Sequence, residues 1–463
     1  MSHLIGYNLG ALHRTSREFK RKVDSAYYPS AATIDENPII PSPSTFDHLN
    51  NLHQDNLPTP SQCAVHLELL EVFHALRIKV LDSKALDQAF DLGGPTKKVY
   101  RRKFVKGLNK WVNQETTLRD LQWENSQDKK WTFYLGEAVR RFMVWANDYN
   151  ASLASGEKNS WIDDGNGRVS MTEFLYLPPV DVLMVWHAFL LNPSDFLEYC
   201  QTNSLEYLPR VNFPWTLIEI LQHKSICSHG PIRDTWKYDS DTWQVPKGES
   251  VFSGNLLHSI IKEGNTEDLD VDDDFRPDII IDLMNNVERQ RAFVKKMNAH
   301  LWIRSPALQG TLQRAVERYE NYLELFRLYP GKMLVPTLDI DLVWHTSQLS
   351  PAAYETSMKA RCGRFINHDD KIGRYQLDVG SDETQALYRT RFGLEYHVCL
   401  CWECQAITSA VDDSDRDGYL EEQRSSTFAK DLADKVMADI EYHRAVESAR
   451  RRNHIKLPIR VEK

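Results

Sequence analysis

The sequence predicts a mainly α-helical protein in which two divergent helical halves form one helical body with few or no strands. Apolar residues recur at helical spacing along most of the chain after residue 58. Alternation with a period of two and clusters of β-branched residues, which are typical of strands, are scarce. One segment occurs twice in related form, which indicates two related halves.

Composition restricts the class of protein further. With 463 residues, 42% hydrophobic and 26% charged, the chain fits a soluble globular protein with a sizeable core. No apolar run has the length of a membrane span, and the first ten residues do not resemble a secretory signal, so we expect no membrane association and a cytoplasmic location. A net charge of −9 argues against general nucleic-acid binding but allows a local basic patch. In a reducing compartment, the seven cysteines are expected as thiols or metal ligands.

Changes in pattern along the chain predict four regions. Residues 1–57 are rich in proline and predict an irregular N-terminal arm, and residues 58–227 form the first helical half, whose first helix Ser61 can cap. Residues 228–275 predict a linker with an acidic excursion, and residues 276–463 form the second half with a cysteine-rich segment and a C-terminal helix. The later helical stretches are predicted at about 97–124, 131–149, 180–202, 211–225, 276–303, 308–328, 339–361, 381–409 and 427–450.

The repeated segment is the strongest signal in the sequence. Residues 177–193 align without gaps on residues 335–351, and both copies follow the pattern P-x-x-D-[VI]-x-x-V-W-H-x-x-x-L-x-P. Prolines precede and end each copy, and Asp181 or Asp339 can cap it, so each copy predicts a helix. Because both copies are apolar on nearly all sides, we expect two buried helices that each deliver one histidine to the interior.

These motifs resemble a known family. The two Trp-His segments, the opening Pro-Thr-Pro-Ser-Gln-Cys at residues 58–63 and the Cys-Leu-Cys-Trp-Glu-Cys at residues 399–404 are similar to the glycine-rich-domain-protein-like family in its fungal form. The resemblance covers most of residues 58–450 and implies an architecture more than a substrate. Some fungal relatives carry the label of 2-oxoglutarate-dependent dioxygenase. Relatives commonly have Trp-His-x-His, where this chain has Phe189 and Ser347 at the second histidine position.

The second Trp-His copy contains a candidate metal site. Asp341 precedes His345 by four residues, so both share one face of a helix and can bind one ion. With His187 from the first copy, the set becomes two histidines and one carboxylate, which is the ligand set of non-haem iron sites. The alternative is a buried Asp–His hydrogen bond beside a structural Trp-His pair.

Two further groups offer metal ligands. His368 either completes the site of His345, begins an H-x-D motif with Asp370 and a distal His397, or belongs to an ordinary acidic turn. Three cysteines near His397, with Cys362 elsewhere, offer a structural zinc site, although their spacing is tighter than that of a two-knuckle site; the alternatives are a redox or catalytic thiol and unliganded cysteines. The three are Cys399, Cys401 and Cys404.

The sequence therefore favours a metal-dependent oxidoreductase acting on a small organic molecule, with iron as the expected metal and copper or zinc as alternatives. In this interpretation Trp186 and Trp344 wall the pocket, and Ser347 faces the space that the family histidine occupies. The second interpretation is a non-catalytic helical scaffold with structural Trp-His helices and a protein partner. The sequence leaves open which of the two applies.

Overall fold

The computed structural model describes residues 40–49, 57–155, 162–163, 169–170, 178–216, 218–219, 256–263, 278–368, 371–416 and 426–451. Most of the predicted N-terminal arm and most of the predicted linker lie outside these ranges. Within the linker, the described part is a helix, Leu256–Glu263. At the end of the arm, the backbone carbonyls of His48 and Leu49 accept hydrogen bonds from Thr59 and Gln62.

The first half begins with a long buried helix. Helix α1 is Pro60–Leu81, and a capping box between Thr59 and Gln62 starts it, so the cap is Thr59 and not Ser61 as predicted. The remaining elements of this half are α2 Lys84–Ala89, β1 Thr96–Val105, β2 Lys110–Arg119, α3 Leu121–Ser155, β3 Ile162–Asp163, β4 Val169–Ser170, α4 Val180–Leu190 and α5 Pro193–Thr202. Helix α4 is the first Trp-His copy.

The linker helix Leu256–Glu263 is α6, and the second half follows it. Its elements are α7 Asp278–His300, α8 Leu308–Leu328, α9 Leu338–Gln348, α10 Pro351–Cys362, α11 Arg374–Phe392, α12 Trp402–Arg416 and α13 Ser426–Arg451. Helix α9 is the second Trp-His copy. The mainly helical fold class is therefore confirmed, and the strands of the described residues form two antiparallel pairs.

The helix predicted at residues 97–124 is wrong over most of its length. Strands β1 and β2 form an antiparallel hairpin here, with Thr96 paired to Arg119 and Val105 to Lys110. Val99, Val112 and Thr116 alternate with polar residues, which favours strands, and Asn109 takes the left-handed conformation in the turn. The basic residues between them obscured this alternation in the sequence.

The two halves repeat one packing unit. Arg141 of α3 pairs with Asp181 of α4 at 3.0 Å, and Arg318 of α8 pairs with Asp339 of α9 at 2.7 Å. The predicted capping role of the two aspartates is therefore wrong, since both make a buried ion pair within the first helical turn and neither helix has a side-chain cap.

Aromatic rings extend the repeat. One and two helical turns after each arginine, α3 carries Trp145 and Tyr149 and α8 carries Tyr322 and Phe326. Trp186 packs on Trp145 with ring centroids 5.1 Å apart, and Trp344 packs on Tyr322 and Phe326 at 5.7 Å. Each Trp-His helix is thus held by the long helix before it.

Helix α1 connects the two units, because it packs against α3 of the first half and against α7, α8 and α9 of the second. The core is continuous between the halves, and it surrounds both Trp-His helices. No described helix is both long and apolar enough to cross a bilayer.

Candidate metal centre

Three potential ligand side chains converge in the second half. Asp341 and His345 lie one turn apart on α9, and His368 follows from the segment after α10. Nε2 of His345 lies 3.2 Å from Nε2 of His368 and 3.3 Å from Oδ1 of Asp341, and Nε2 of His368 lies 3.8 Å from the same oxygen. The three ligand atoms therefore form a small triangle.

The size of this triangle fits a transition metal ion. Ligand atoms about 2.1 Å from an ion, at octahedral to tetrahedral angles, are separated by about 3.0 to 3.4 Å. Two of the three separations fall in that range, and the third exceeds it by a few tenths of an ångström. Binding would require only a small side-chain movement.

The tautomer of His368 also suits a metal ligand. Its Nδ1 atom lies 3.1 Å from the carbonyl oxygen of Leu191, which only accepts hydrogen bonds, so Nδ1 carries the proton. In the neutral ring, Nε2 then presents a lone pair to His345 and Asp341. A backbone carbonyl commonly orients a metal-binding histidine in this way.

Neighbouring positive charge favours an ionised carboxylate at Asp341, although burial opposes it. Burial alone would raise the pKa of Asp341, but His345, His368 and Lys296 outweigh it and hold the pKa below its usual value. His345 is buried, whereas the side chain of Asp341 retains 22% exposure. The ligand atom Oδ1 is itself buried, so the exposed part of Asp341 marks only the side of the group that lies nearest to solvent.

Trp344 and Ser347, the predicted pocket residues of the second copy, lie in different environments. The ring of Trp344 contacts His368 edge-on, with centroids 5.0 Å apart, and its role as a pocket wall stays a prediction. Ser347 is two residues beyond His345 and therefore on another side of the helix. It is buried beside Tyr319 of α8, and its relation to the space of the family histidine stays a prediction.

His187 is positioned differently from its repeat counterpart. Its Nε2 atom lies 2.8 Å from Nε2 of His66 on α1, and Nδ1 of His66 lies 2.8 Å from Oγ1 of Thr346. Thr346 donates its own proton to the carbonyl of Leu342, so its oxygen accepts from His66, whose Nε2 in turn accepts from His187. The structure thus groups His345 with His368 and Asp341, while His187 belongs to a directed hydrogen-bond chain.

The histidine pair of this chain is uncharged at neutral pH. Burial lowers the pKa of His187 to about 3, and burial with the neighbouring His187 lowers the pKa of His66 well below its usual value. Trp186 beside them packs among the rings of Trp145 and Phe213. These residues form part of the apolar core of the first half.

The three predicted cysteine ligands also converge. The Sγ atoms of Cys399, Cys401 and Cys404 lie within 4.8 Å of one another at the start of α12. Trp302 donates to the carbonyl of Leu400 and Gln405 to that of Cys399, and these bonds hold the loop in place. The backbone N–H of Cys404 points to Sγ of Cys401 at 3.5 Å.

The environment of these thiols disfavours a reactive nucleophile. Burial raises the pKa of Cys399, and a hydrogen bond with Cys404 together with burial raises that of Cys401. His397 is directed to Ser381, 3.3 Å away, and Cys362 is buried against the carbonyl of Leu323. Neither joins the three cysteines, and Asp370 of the H-x-D motif lies outside the described residues.

Sequence reasoning missed His66, Thr346 and the two arginines. The arginine pattern is visible in the sequence as an arginine followed by aromatic residues four and eight positions later. The different lengths between arginine and Trp-His segment, 40 residues from Arg141 to Asp181 and 21 from Arg318 to Asp339, concealed it. No signal in the sequence marks His66 as the partner of His187, because 121 residues separate them.

Comparison with known proteins identifies one family. Residues 210–357 match the model of the family described as glycine-rich domain-containing protein-like. Glycine-rich domain-containing protein 1 of Arabidopsis thaliana is 27% identical over 49% of this chain, and protein 2 of the same plant is 25% identical over 58%. The alignments cover only 26% and 31% of those relatives.

No solved structure gives a significant match to the chain. Both relatives come from a plant, and the fungal form stays a prediction. The resemblance to the glycine-rich domain-containing protein-like family is confirmed, since residues 210–357 match the model of that family.

Proposed function

We propose that this protein binds one divalent transition metal ion through Asp341, His345 and His368, and that the ion serves an oxidoreductase reaction on a small organic molecule. The observation that carries the proposal is the triangle of Oδ1 and two Nε2 atoms at 3.2 to 3.8 Å. Two imidazoles and one carboxylate are the ligands of non-haem iron sites that keep open coordination positions. We also propose that the protein is located in the cytoplasm.

The chain's own residues have defined roles in this scheme. Asp341 supplies the negative charge, and Leu191 fixes the proton of His368 on the nitrogen that faces away from the ion. Trp344 closes one side of the group with an apolar ring. A bound iron would supply redox chemistry at positions that the three side chains leave open.

A second candidate is a structural ion that joins the two halves. The segment that carries His368 contacts the first half at three points: Leu191 bonds His368, Asn367 accepts from the backbone of Ser194, and Lys371 pairs with Asp195. An ion at the triangle would fasten this segment to α9. This version agrees with the scaffold interpretation of the sequence.

Metal analysis of the full chain, purified without a histidine tag and loaded anaerobically with Fe²⁺, tests the proposal. We expect one ion per chain beyond any held by the cysteines, with Asp341→Asn and His368→Ala each losing it. His397→Ala is the matched control, since it removes a surface histidine outside the group. If both Asp341→Asn and His368→Ala retained the ion, the proposed site would be contradicted.

Nitric oxide tests whether bound iron has the open positions that the redox candidate requires. An iron with open positions binds it and gives the high-spin EPR signal of an iron–nitrosyl complex, whereas an ion with filled coordination does not. The proposed oxidoreductase predicts this signal in the wild-type protein. Bound iron without the signal would contradict the redox function and leave the structural ion.

A further inference from the structure

The β1–β2 hairpin differs from the rest of the molecule in charge. Residues 96–119 contain eight basic residues and one acidic residue, in a chain whose net charge is −9. Almost every residue of the hairpin is exposed, and ten residue pairs give it a length of about 34 Å. The basic residues are Lys97, Lys98, Arg101, Arg102, Lys103, Lys106, Lys110 and Arg119.

Much of this charge is uncompensated. Lys97, Lys98 and Arg119 pair with Asp120, Glu115 and Glu124. The other five have no carboxylate within ion-pair distance among the described residues, and all five are exposed. Cations concentrated on one element repel one another and create a local positive potential that attracts anionic partners.

The two faces of the hairpin carry different side chains. Pairing of Tyr100 with Glu115 and of Phe104 with Trp111 puts all three aromatic rings of the hairpin on one face. Every residue on that face is exposed, with Tyr100 at 64% and Trp111 at 61%. Arg102 lies between the rings. The opposite face holds the half-buried aliphatic residues Val99, Val112 and Leu118.

We propose that the aromatic face of this hairpin binds single-stranded nucleic acid. Exposed rings that alternate with cations are the arrangement on which unpaired bases stack while the backbone phosphates meet Lys and Arg. Phe104 and Trp111 contact each other edge-on at 5.6 Å, which stabilises their orientation but leaves Trp111 largely exposed. The inference is independent of the metal centre.

A lipid surface fits the hairpin less well. Insertion into a bilayer buries apolar surface, and the turn offers a single apolar side chain for it, whereas the three aromatic rings are spread along one face of the hairpin, where bases can stack. Leu108 is the exposed apolar residue of the turn, and Lys106 and Lys110 flank it. A duplex also fits less well, because its bases are already stacked and unavailable to the rings.

Fluorescence anisotropy of a labelled 20-nucleotide oligo(U) or oligo(dT) with the full chain tests the proposal. We expect saturable binding that weakens with salt, with a log–log slope of about −3 for four phosphate contacts. Tyr100→Leu and Trp111→Leu should each weaken binding by about five-fold or more, since each removes a stacking surface while keeping an apolar side chain. The variants should fold, because the hairpin is exposed.

Matched charge variants locate the binding face. Arg102→Ala and Lys103→Ala remove the same charge from adjacent positions on opposite faces. The proposal predicts that Arg102→Ala weakens binding at least three times more than Lys103→Ala and reduces the salt slope by about 0.7. Equal effects would contradict an aromatic binding face.

Three other outcomes would overturn the proposal. One is the absence of binding to both oligonucleotides at low salt. Another is equal affinity for a duplex of the same length. The third is binding to vesicles that contain phosphatidylserine, unaffected by Tyr100→Leu and Trp111→Leu, without binding to the oligonucleotides, which would assign the hairpin to a membrane surface.

Discussion

The two Trp-His helices make nearly the same packing contacts but differ in the residues around their histidines. In both, an arginine from the preceding long helix pairs with the first-turn aspartate, and aromatic rings of that helix pack on the tryptophan. One turn before the histidine, however, α4 has Leu183 and α9 has Asp341. The apolar copy encloses its histidine in a neutral pair, and the acidic copy brings together the proposed metal ligands. The same packing unit can therefore have a structural role in one half and carry a candidate site in the other.

Introduction of an aspartate at the equivalent position of the first copy should have the largest effect on stability. Leu183 is fully buried, so Leu183→Asp would bury a carboxylate without a cation and reduce the free energy of unfolding by about 4 kcal/mol. Urea unfolding measures the change. The reciprocal Asp341→Leu should cost about 1 kcal/mol or less while removing metal binding, and a similar loss in both variants would contradict the comparison.

Loss of either of the two equivalent ion pairs should reduce the free energy of unfolding by a similar amount. Arg141→Met and Arg318→Met each leave a buried aspartate without its cation, which should cost about 3 kcal/mol. Further change of Asp181 or Asp339 to Asn in the same variant should recover part of that loss, because the unpaired charge is removed. Thermal or urea unfolding measures the stability of each variant. A loss of stability in only one of the two arginine variants would mean that the two ion pairs are not equivalent.

The neutral histidine pair predicts sensitivity to acid. Since the pKa of His187 is lowered to about 3 and that of His66 is also lowered, the unfolded chain binds protons below pH 6.5 that the folded chain does not. Stability is fully present above pH 6.5 and falls as the pH decreases, by up to about 1.4 kcal/mol per pH unit for each ring. Unfolding at pH 7 and pH 5 should show this slope, and His187→Leu should reduce it. An unchanged slope in that variant would refute the assignment.

The smallest effect is expected at the end of the hydrogen-bond chain. Thr346→Val leaves the buried Nδ1–H of His66 without its acceptor, at a cost of about 1 to 2 kcal/mol in the free energy of unfolding. Thr346→Ser keeps the hydroxyl and should cost less than half as much. Equal losses would mean that the methyl group contributes as much as the hydrogen bond, and no loss in Thr346→Val would contradict the hydrogen-bond chain.

The cysteine group allows an independent prediction. If its three thiols hold a structural zinc ion, Cys401→Ser should remove that zinc and leave iron binding at Asp341 unchanged. Metal analysis of the same preparations measures both. Loss of both metals in Cys401→Ser would indicate that the two groups are not separate sites.

The sequence predicts the parts of this account that depend on local spacing. Helical periodicity predicts the mainly α fold, the repeat predicts two equivalent helices, and the four-residue separation places Asp341 and His345 on one face. The interpretation of residues 97–124 as a helix fails because a local count of apolar residues does not reveal that Thr96 to Val105 pairs with Lys110 to Arg119. The choice between His187 and His368 as the partner of His345 depends on long-range packing, which spacing does not encode.

Anomalous diffraction from crystals of the full chain loaded anaerobically with Fe²⁺ tests the central claim most directly. We expect one iron peak bounded by Nε2 of His345, Nε2 of His368 and Oδ1 of Asp341, and none between His66 and His187. An iron peak at the His66–His187 pair, or no peak at the three ligand atoms in loaded crystals, would contradict it.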